Sequence, residues 1–288
     1  VSGRASASPV ARISTGTVAA GLLSASLLAL LVLPLVALLA AASPLALMNV
    51  LKDAGARTAA EFTLMASGAA VVIALGTGVP LGYLLARRSF PGRTIVSSVI
   101  TLPIALPHLV AGLAIFLLFA PSTPVGATAD RLGIRVLDSF WGVVLVMVYV
   151  SAPYVVLASE LAFRAVDGSV LETARTLGAG PMTVFWTVTM PIAARGVVAG
   201  AVLSWARAVS EIGGFLIVAS MVYPGAPYNG PATVPISLYV FNLFSIGDTD
   251  GAVAVSVWIL LLAFALFLGI RLLERRGFLP WVSGEMPR

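Results

Sequence analysis

The chain has 288 residues, of which 59% are hydrophobic and only 10% charged, with a formal net charge of +5 and a mean hydropathy of +1.05. A soluble domain carries about 25% charged residues, so the composition excludes an ordinary water-soluble globule. Absent Cys and a single His (His108) exclude disulfides, thiolate chemistry and a two-histidine zinc signature. The single Lys, Lys52, follows Val50-Leu51 instead of a Gly-rich turn, so no phosphate-cradling Walker loop is present.

Stretches without a formal charge run over 13–49, 62–86, 94–129, 140–159 and 251–270. Each exceeds the roughly 18 residues that mark a membrane span. The fold class is therefore an all-α polytopic membrane protein. The arginines flank these spans, which the positive-inside rule explains without a nucleic-acid partner.

In chain order, residues 1–16 are small and polar and are expected to form a flexible N-terminus, with the initiator Met missing or trimmed before Val1. Span one covers about 17–42. Its Ala40-Ala41-Ala42 ending resembles a signal-peptide cleavage site, but the apolar run exceeds the roughly 7–15 residues of a secretory core and reads as a retained helix. A loop is expected at 43–58, and span two at about 60–86, where Gly78 and Gly82 are spaced for close helix packing. Span three, about 94–119, contains Pro103 and Pro107 and should kink or break near its start.

A loop at 120–139 follows, with a short surface helix expected over Asp130–Asp138. Span four covers about 140–159, a polar helix-forming stretch Glu160–Ala179, and span five about 192–222, interrupted by Arg207 and Glu211. Tyr223–Pro235 is rich in turn residues. Ile236–Gly247 is apolar but too short to cross and reads as a re-entrant or partial helix. Span six covers about 250–270, and a short cytoplasmic tail without a regulatory domain is expected at 272–288.

Six spans place both termini on one side. Assigning that side to the cytoplasm puts Arg4, Arg12, Arg87, Arg88, Arg93, Arg164, Arg175, Arg195, Arg271, Arg275, Arg276 and Arg288 inside. Only Lys52, Arg57, Arg131 and Arg135 then lie outside, which is the expected bias. One permease domain, 17–271, is expected, in the plasma or inner membrane.

The inside loop at 160–191 is the most informative stretch. In Ser169–Gly178, Val170, Leu171, Ala174 and Leu177 fall at helical spacing on one stripe. Gly178-Ala179-Gly180 breaks that helix and Pro181 suits the start of the next. Periodicity alone favours an interfacial helix that only covers the bundle.

The residues themselves resemble the Glu-Ala-Ala loop of ATP-binding-cassette (ABC) importer permeases: Glu172-Thr173-Ala174, Gly178, then Val188, Met190 and Pro191 at the family spacing. Thr173, Val188 and Met190 stand where the pattern has Ala, Ile and Leu. Further segments are similar to the sulfate/molybdate/tungstate oxyanion group, and particularly to archaeal-type molybdate/tungstate permeases. They are Leu102–Gly112, Val150–Tyr154, Leu177–Ala179 and Ser204–Gly213, the last holding Arg207, Ser210 and Glu211.

This resemblance implies an ATP-driven importer of tungstate or molybdate whose ATPase, with its ATP and Mg, is a separate subunit. It implies no cofactor, metal site or catalytic residue in this chain. The implied partners are a second copy of the chain, a cytoplasmic ATPase dimer, an external oxyanion-binding protein and the lipid bilayer. It also implies that the Glu172–Gly178 helix docks on the ATPase. A sulfate/thiosulfate permease of the same architecture is an alternative. An ATP-independent secondary transporter or channel is a second, weakened by the lack of an internal repeat. A membrane enzyme is a third, weakened by the missing Cys and the single His.

Arg207 and Glu211, four residues apart, share a helix face. They read either as a structural ion pair or as part of the pathway, with Arg207 lowering the barrier for a dianion and Glu211 keeping it from binding too tightly. His108, after Pro107, reads first as a packing hydrogen-bond donor and second as a pathway residue.

Overall fold

The computed structural model describes residues 15–275, so the expected N-terminal segment and C-terminal tail lie almost wholly outside the described residues. The helices are α1 (Thr15–Ala41), α2 (Pro44–Lys52), α3 (Ala54–Arg87), α4 (Arg93–Ala105), α5 (His108–Phe119), α6 (Pro124–Arg131) and α7 (Phe140–Arg164). They continue as α8 (Gly168–Thr176), α9 (Pro181–Val184), one π-helical turn (Phe185–Thr189), α10 (Met190–Val209), α11 (Gly213–Val218), α12 (Ile236–Ser245) and α13 (Thr249–Arg275). Among the described residues there is no strand beyond two isolated bridges in the 219–235 hairpin.

Five continuous segments are long and apolar enough to cross a membrane, and the α4–α5 pair, bent by 115°, makes the sixth. The packing of α3 on α7 requires that reading. Phe62 meets Phe140 edge-on at 5.9 Å, Gly78 faces Val155 and Gly82 faces Ser159, so α3 and α7 run parallel. The chain between them must return across the bilayer, and α4–α5 is the only helical path it has.

The break falls at Leu106-Pro107, midway along the expected span and not near its start. Proline donates no hydrogen bond and disfavours helical geometry in the residue before it, and Leu106 is accordingly extended (φ −74°, ψ 136°). Pro103, by contrast, sits inside α4 without ending it.

Several expected boundaries move. The loop at 43–58 is instead α2 and the first turn of α3. Ser43 caps α2, and Asp53 caps α3 by accepting from the Gly55 N–H at 2.9 Å. The surface helix expected at Asp130–Asp138 lies at Pro124–Arg131, because Thr123 accepts from the Gly126 N–H and Pro124 presets the first helical φ. Glu160–Arg164 of the expected polar stretch belongs to α7. Span five begins eleven residues early, at Pro181, and ends at Val209. The final helix runs on to Arg275.

Three apolar clusters hold the bundle. One packs Phe62, Phe140, Met147, Phe215, Val222 and Tyr228 at the end where α3 and α7 begin. A second packs Val79, Val155, Phe163, Val184 and Val197 toward the arginine-rich end. The smallest joins Ala56, Ala59, Ile236 and Val255. No residue of the Ala20–Ala41 stretch is buried, and α1 leans on α13.

Close helix contact depends on glycine where α3 meets α7. A Cβ on Gly82 would lie 2.8 Å from both the Ser159 Cβ and the Val156 carbonyl oxygen, whereas one on Gly76 would meet nothing within 4 Å. Gly82→Ala is therefore expected to cost about 1–3 kcal/mol through overpacking, with Gly76→Ala within about 0.5 kcal/mol of the parent. Unfolding midpoints of the purified protein in detergent test the contrast.

Candidate functional site

Two places gather the polar residues that the sequence singles out. The first lies inside the bundle, where α5, α10, α11 and α12 meet. Arg207, on the last turn of α10, approaches the Glu211 carboxylate at 2.9 Å, and the Glu211 side chain is completely buried. The Nδ1 of His108 lies 3.1 Å from the same Glu211 oxygen, Oε2. The Nε2 of His108 lies 3.3 Å from Arg207 Nη2.

A guanidinium has donors only, so His108 Nε2 must accept from Arg207. With Nε2 turned to Arg207, the other ring nitrogen, Nδ1, faces the Glu211 carboxylate. Arg207, His108 and Glu211 thus form one close polar cluster, inside which a guanidinium nitrogen and a carboxylate oxygen are fully buried.

The backbone dictates this geometry. Pro107 ends α4 and starts α5, which places His108 in its first turn. The α10 helix stops at Ser210, whose hydroxyl donates to the Arg207 carbonyl. Glu211 Oε1 accepts from the Gly214 N–H at 2.7 Å, so the carboxylate satisfies an amide that the opening turn of α11 would leave orphaned. The Ser237 hydroxyl of α12 donates to the Glu211 carbonyl.

The close approach of α5 to α11 needs bare backbone. A Cβ on Gly112 would sit 2.6 Å from the Gly214 Cα, and one on Gly213 would sit 2.6 Å from the His108 Cβ. Exposure is graded across the cluster: Glu211 is sealed, Arg207 is 15% exposed and His108 47%. Ser210 and Pro107 lie on the open side. The ion pair and the partly open edge are thus features of one cluster, and the two readings of Arg207 and Glu211 do not exclude each other.

The second place is the 160–191 loop. Asp167 caps α8 by accepting from the Ser169 N–H at 2.9 Å. That backbone hydrogen bond, followed by one from the Ser169 side chain, holds the Asp167 carboxyl below the usual carboxylate range. The helix ends in a Schellman-type turn, with Ala179 N–H donating to Ala174 C=O and Gly178 N–H to Arg175 C=O. Gly178 has φ +88°, a conformation that costs glycine little and other residues more.

Glu172 and Thr173 are exposed, while Ala174, Val188 and Met190 are half-buried against the second core cluster. Pro191 opens α10. The expected apolar stripe divides. Leu171 is buried, but Val170 is exposed and Leu177 is 83% exposed, because α8 ends at Thr176 and Leu177 lies past its packed face. With Met182 and Trp186, also exposed, they place large apolar side chains beside the left-handed turn.

Spacing gives no sign of the links between this loop and the bundle. Arg87 donates to the Val166 carbonyl at 2.9 Å, immediately before Asp167. Glu160 pairs with both Arg93, at 3.4 Å, and Arg164. Only Glu160–Arg164, an i,i+4 pair, carries a local signal. Elsewhere, Tyr239 donates to Asp53 at 2.6 Å and the Trp205 indole to Ser67 at 3.1 Å. Among the described residues, no group of three or more His, Cys, Asp or Glu side chains could hold a metal ion.

Residues 78–277 match the family described as binding-protein-dependent transport system inner membrane component. The chain is 39% identical over 173 residues to a molybdate/tungstate transport system permease protein of Thermococcus kodakarensis, covering 60% of this chain and 65% of that one. It is 32% identical over 260 residues to a probable molybdenum ABC transporter permease protein of Haloferax volcanii, covering 90% of each. In fold it is similar to a chain of a bacterial alginate ABC transporter solved with its pentasaccharide-bound periplasmic protein. The TM-score there is 0.70 at 17% identity, over 90% of this chain and 94% of the other.

Breaking the buried cluster from one side leaves a charge without its partner. Glu211→Ala is expected to destabilise the protein by about 3–5 kcal/mol, read as loss of folded protein from the membrane. The double variant Arg207→Met/Glu211→Gln should recover folded protein, because Gln keeps an acceptor for the Gly214 N–H. A milder test concerns Asp167. With its pKa depressed, the α8 cap contributes above the unfolded carboxylate range and is lost as pH falls through the lower folded value. Amide exchange of α8, corrected for intrinsic rates, should be constant from pH 8 to about 5 and accelerate only below about 4.

Proposed function

Because the chain belongs to the family of binding-protein-dependent transport system inner membrane components, we propose that it is the membrane-spanning subunit of an ATP-driven importer for molybdate or tungstate. The observation that carries the substrate is the 32% identity to the Haloferax protein over 90% of both chains, reinforced by the Thermococcus protein. Its partners are a second copy of itself, a cytoplasmic ATPase dimer and an external oxyanion-binding protein. The arginine-rich end, with both termini, faces the cytoplasm. ATP and Mg are held by the ATPase, and this chain supplies no catalytic group.

The α8 helix is the element that docks on the ATPase. Its exposed side offers Val170, Leu177 and Glu172, and the Gly178 turn connects it to α9 and α10. Movement of α8 on ATPase closure is passed along the 181–209 helix, whose far end carries Arg207. Coupling therefore runs from the docking helix to the buried cluster through one continuous helical segment.

A tetrahedral dianion crossing the bilayer needs positive charge that does not retain it. Arg207 meets both conditions: its charge is 15% exposed and reaches the path beside the half-exposed His108, and Glu211 offsets it. Pro107 and Ser210 line the same open side.

Proteoliposomes holding this chain with its ATPase and binding protein should take up labelled tungstate and molybdate only with ATP. The double variant Arg207→Gln/Glu211→Gln, which strands no buried charge, should lower that uptake by at least about tenfold, the scale of one lost charge-assisted contact, with membrane protein levels unchanged. Leu177→Asp should leave the unfolding midpoint within about 0.5 kcal/mol of the parent yet abolish uptake and co-purification of the ATPase. ATP-dependent uptake of sulfate alone would keep the machine and replace the substrate. Uptake indifferent to ATP and to Leu177 would refute the coupling.

A further inference from the structure

The arginine-rich end of the bundle holds more positive charge than its ion pairs consume. Arg87 and Arg88 close α3, Gly92 turns the chain, and Arg93 opens α4 five residues after Arg88. Arg164, at the end of α7, joins the same neighbourhood because Glu160 pairs with both it and Arg93. Glu160 is buried and already shared, and Arg87 is committed to the Val166 carbonyl. Among the described residues Arg88 makes no ion pair and is exposed. Four arginines thus stand with two carboxylates, Glu160 and the Asp167 that follows Val166, leaving a local excess of two positive charges.

This cluster sits where a lipid headgroup sits. It marks the ends of three membrane helices, and α4 leads from it into the bilayer. Ile95, Val99 and Leu102, at i, i+4 and i+7, form one exposed apolar face of α4 beginning two residues beyond Arg93. A phosphate bound among the arginines would place its acyl chain along that face. A free anion would use the charges alone, whereas a lipid would use both the charges and the apolar face.

We propose that the α3–α4 turn, Arg93 and Arg164, with the outer face of α4, form a binding site for an anionic phospholipid. The phosphate is held by Arg88, Arg93 and Arg164, and one acyl chain lies over Ile95, Val99 and Leu102. Arginine suits the task because its planar fork matches phosphate oxygens. The site is independent of which anion the protein transports. Its occupancy would brace the turn that joins α3, α4 and, through Arg87, the segment leading into α8.

The test is native mass spectrometry of the full-length chain extracted from an equimolar mixture of phosphatidylglycerol and phosphatidylcholine. A retained phosphatidylglycerol with selectivity of tenfold or more is expected, since each surface arginine near an anionic lipid contributes about fivefold. Arg88→Ala should lower that selectivity about fivefold, and Arg88→Ala/Arg93→Ala by more than tenfold. Arg195→Ala, which removes an exposed arginine on α10, should leave it unchanged. Equal retention of the two lipids would overturn the proposal, as would an equal loss in Arg195→Ala, which would mark a bulk charge effect. Displacement of the lipid by millimolar inorganic phosphate would overturn it too, assigning the cluster to a small free anion.

Discussion

A carboxylate with no access to water cannot be left alone in a membrane protein, and Glu211 meets that demand by drawing four helices to one point. Its side chain engages Arg207 of α10, His108 of α5 and the opening turn of α11, and its carbonyl takes the Ser237 hydroxyl of α12. Each partner belongs to an element that is short, broken or capped nearby. The breaks at Leu106-Pro107 and Ser210–Ile212 are what bring polar groups and backbone ends to the same depth. In lipid such irregular backbone is tolerated where it is buried in protein, and the sealed Glu211 end of this cluster meets that condition.

Around that point the rest of the bundle is a rigid frame. The parallel α3–α7 pair packs through Gly78 and Gly82, and α10 lies antiparallel on α7 with Gly196 and Gly200 against Ala162 and Ala158. Small residues let backbones approach where hydrophobic burial gives little net drive. At the arginine-rich end, Tyr83, Phe163 and Phe185 stack edge-on and tilted within 6.0 Å of one another. They tie α3, α7 and the start of the 181–209 helix into one body, so α8 is attached to a platform and does not hang from a loop.

Much of this was legible in the residues. Charge-free runs located the spans. Proline at 107 announced a break, and the Gly178 signature located the left-handed turn. The meeting of Arg207 and Glu211 followed from i,i+4 spacing. The part that was not legible is long-range. Nothing local says that His108 reaches Glu211 across 103 positions, that Arg87 holds Val166, or that Tyr239 meets Asp53. Helix starts also moved where a cap outranked hydropathy, as Thr123 and Ser43 did. Leu177 fits the apolar stripe by number yet lies past the end of its helix, a distinction made by the hydrogen bonds of the Gly178 turn.

The π-helical turn at Phe185–Thr189 gives the 181–209 helix a particular phase. An α-helix advances about 100° per residue, and a π-helical turn accommodates one residue more than its neighbours do. The angular position of every side chain downstream, Arg207 included, is therefore set against α8 by that extra residue. Straightening the turn into regular α-helix would re-aim the far end by about a quarter of a revolution. Insertions and deletions between Pro181 and Met190 thus act as rotations of the buried cluster, so the length of this short segment is as much a part of the site as the charges it carries.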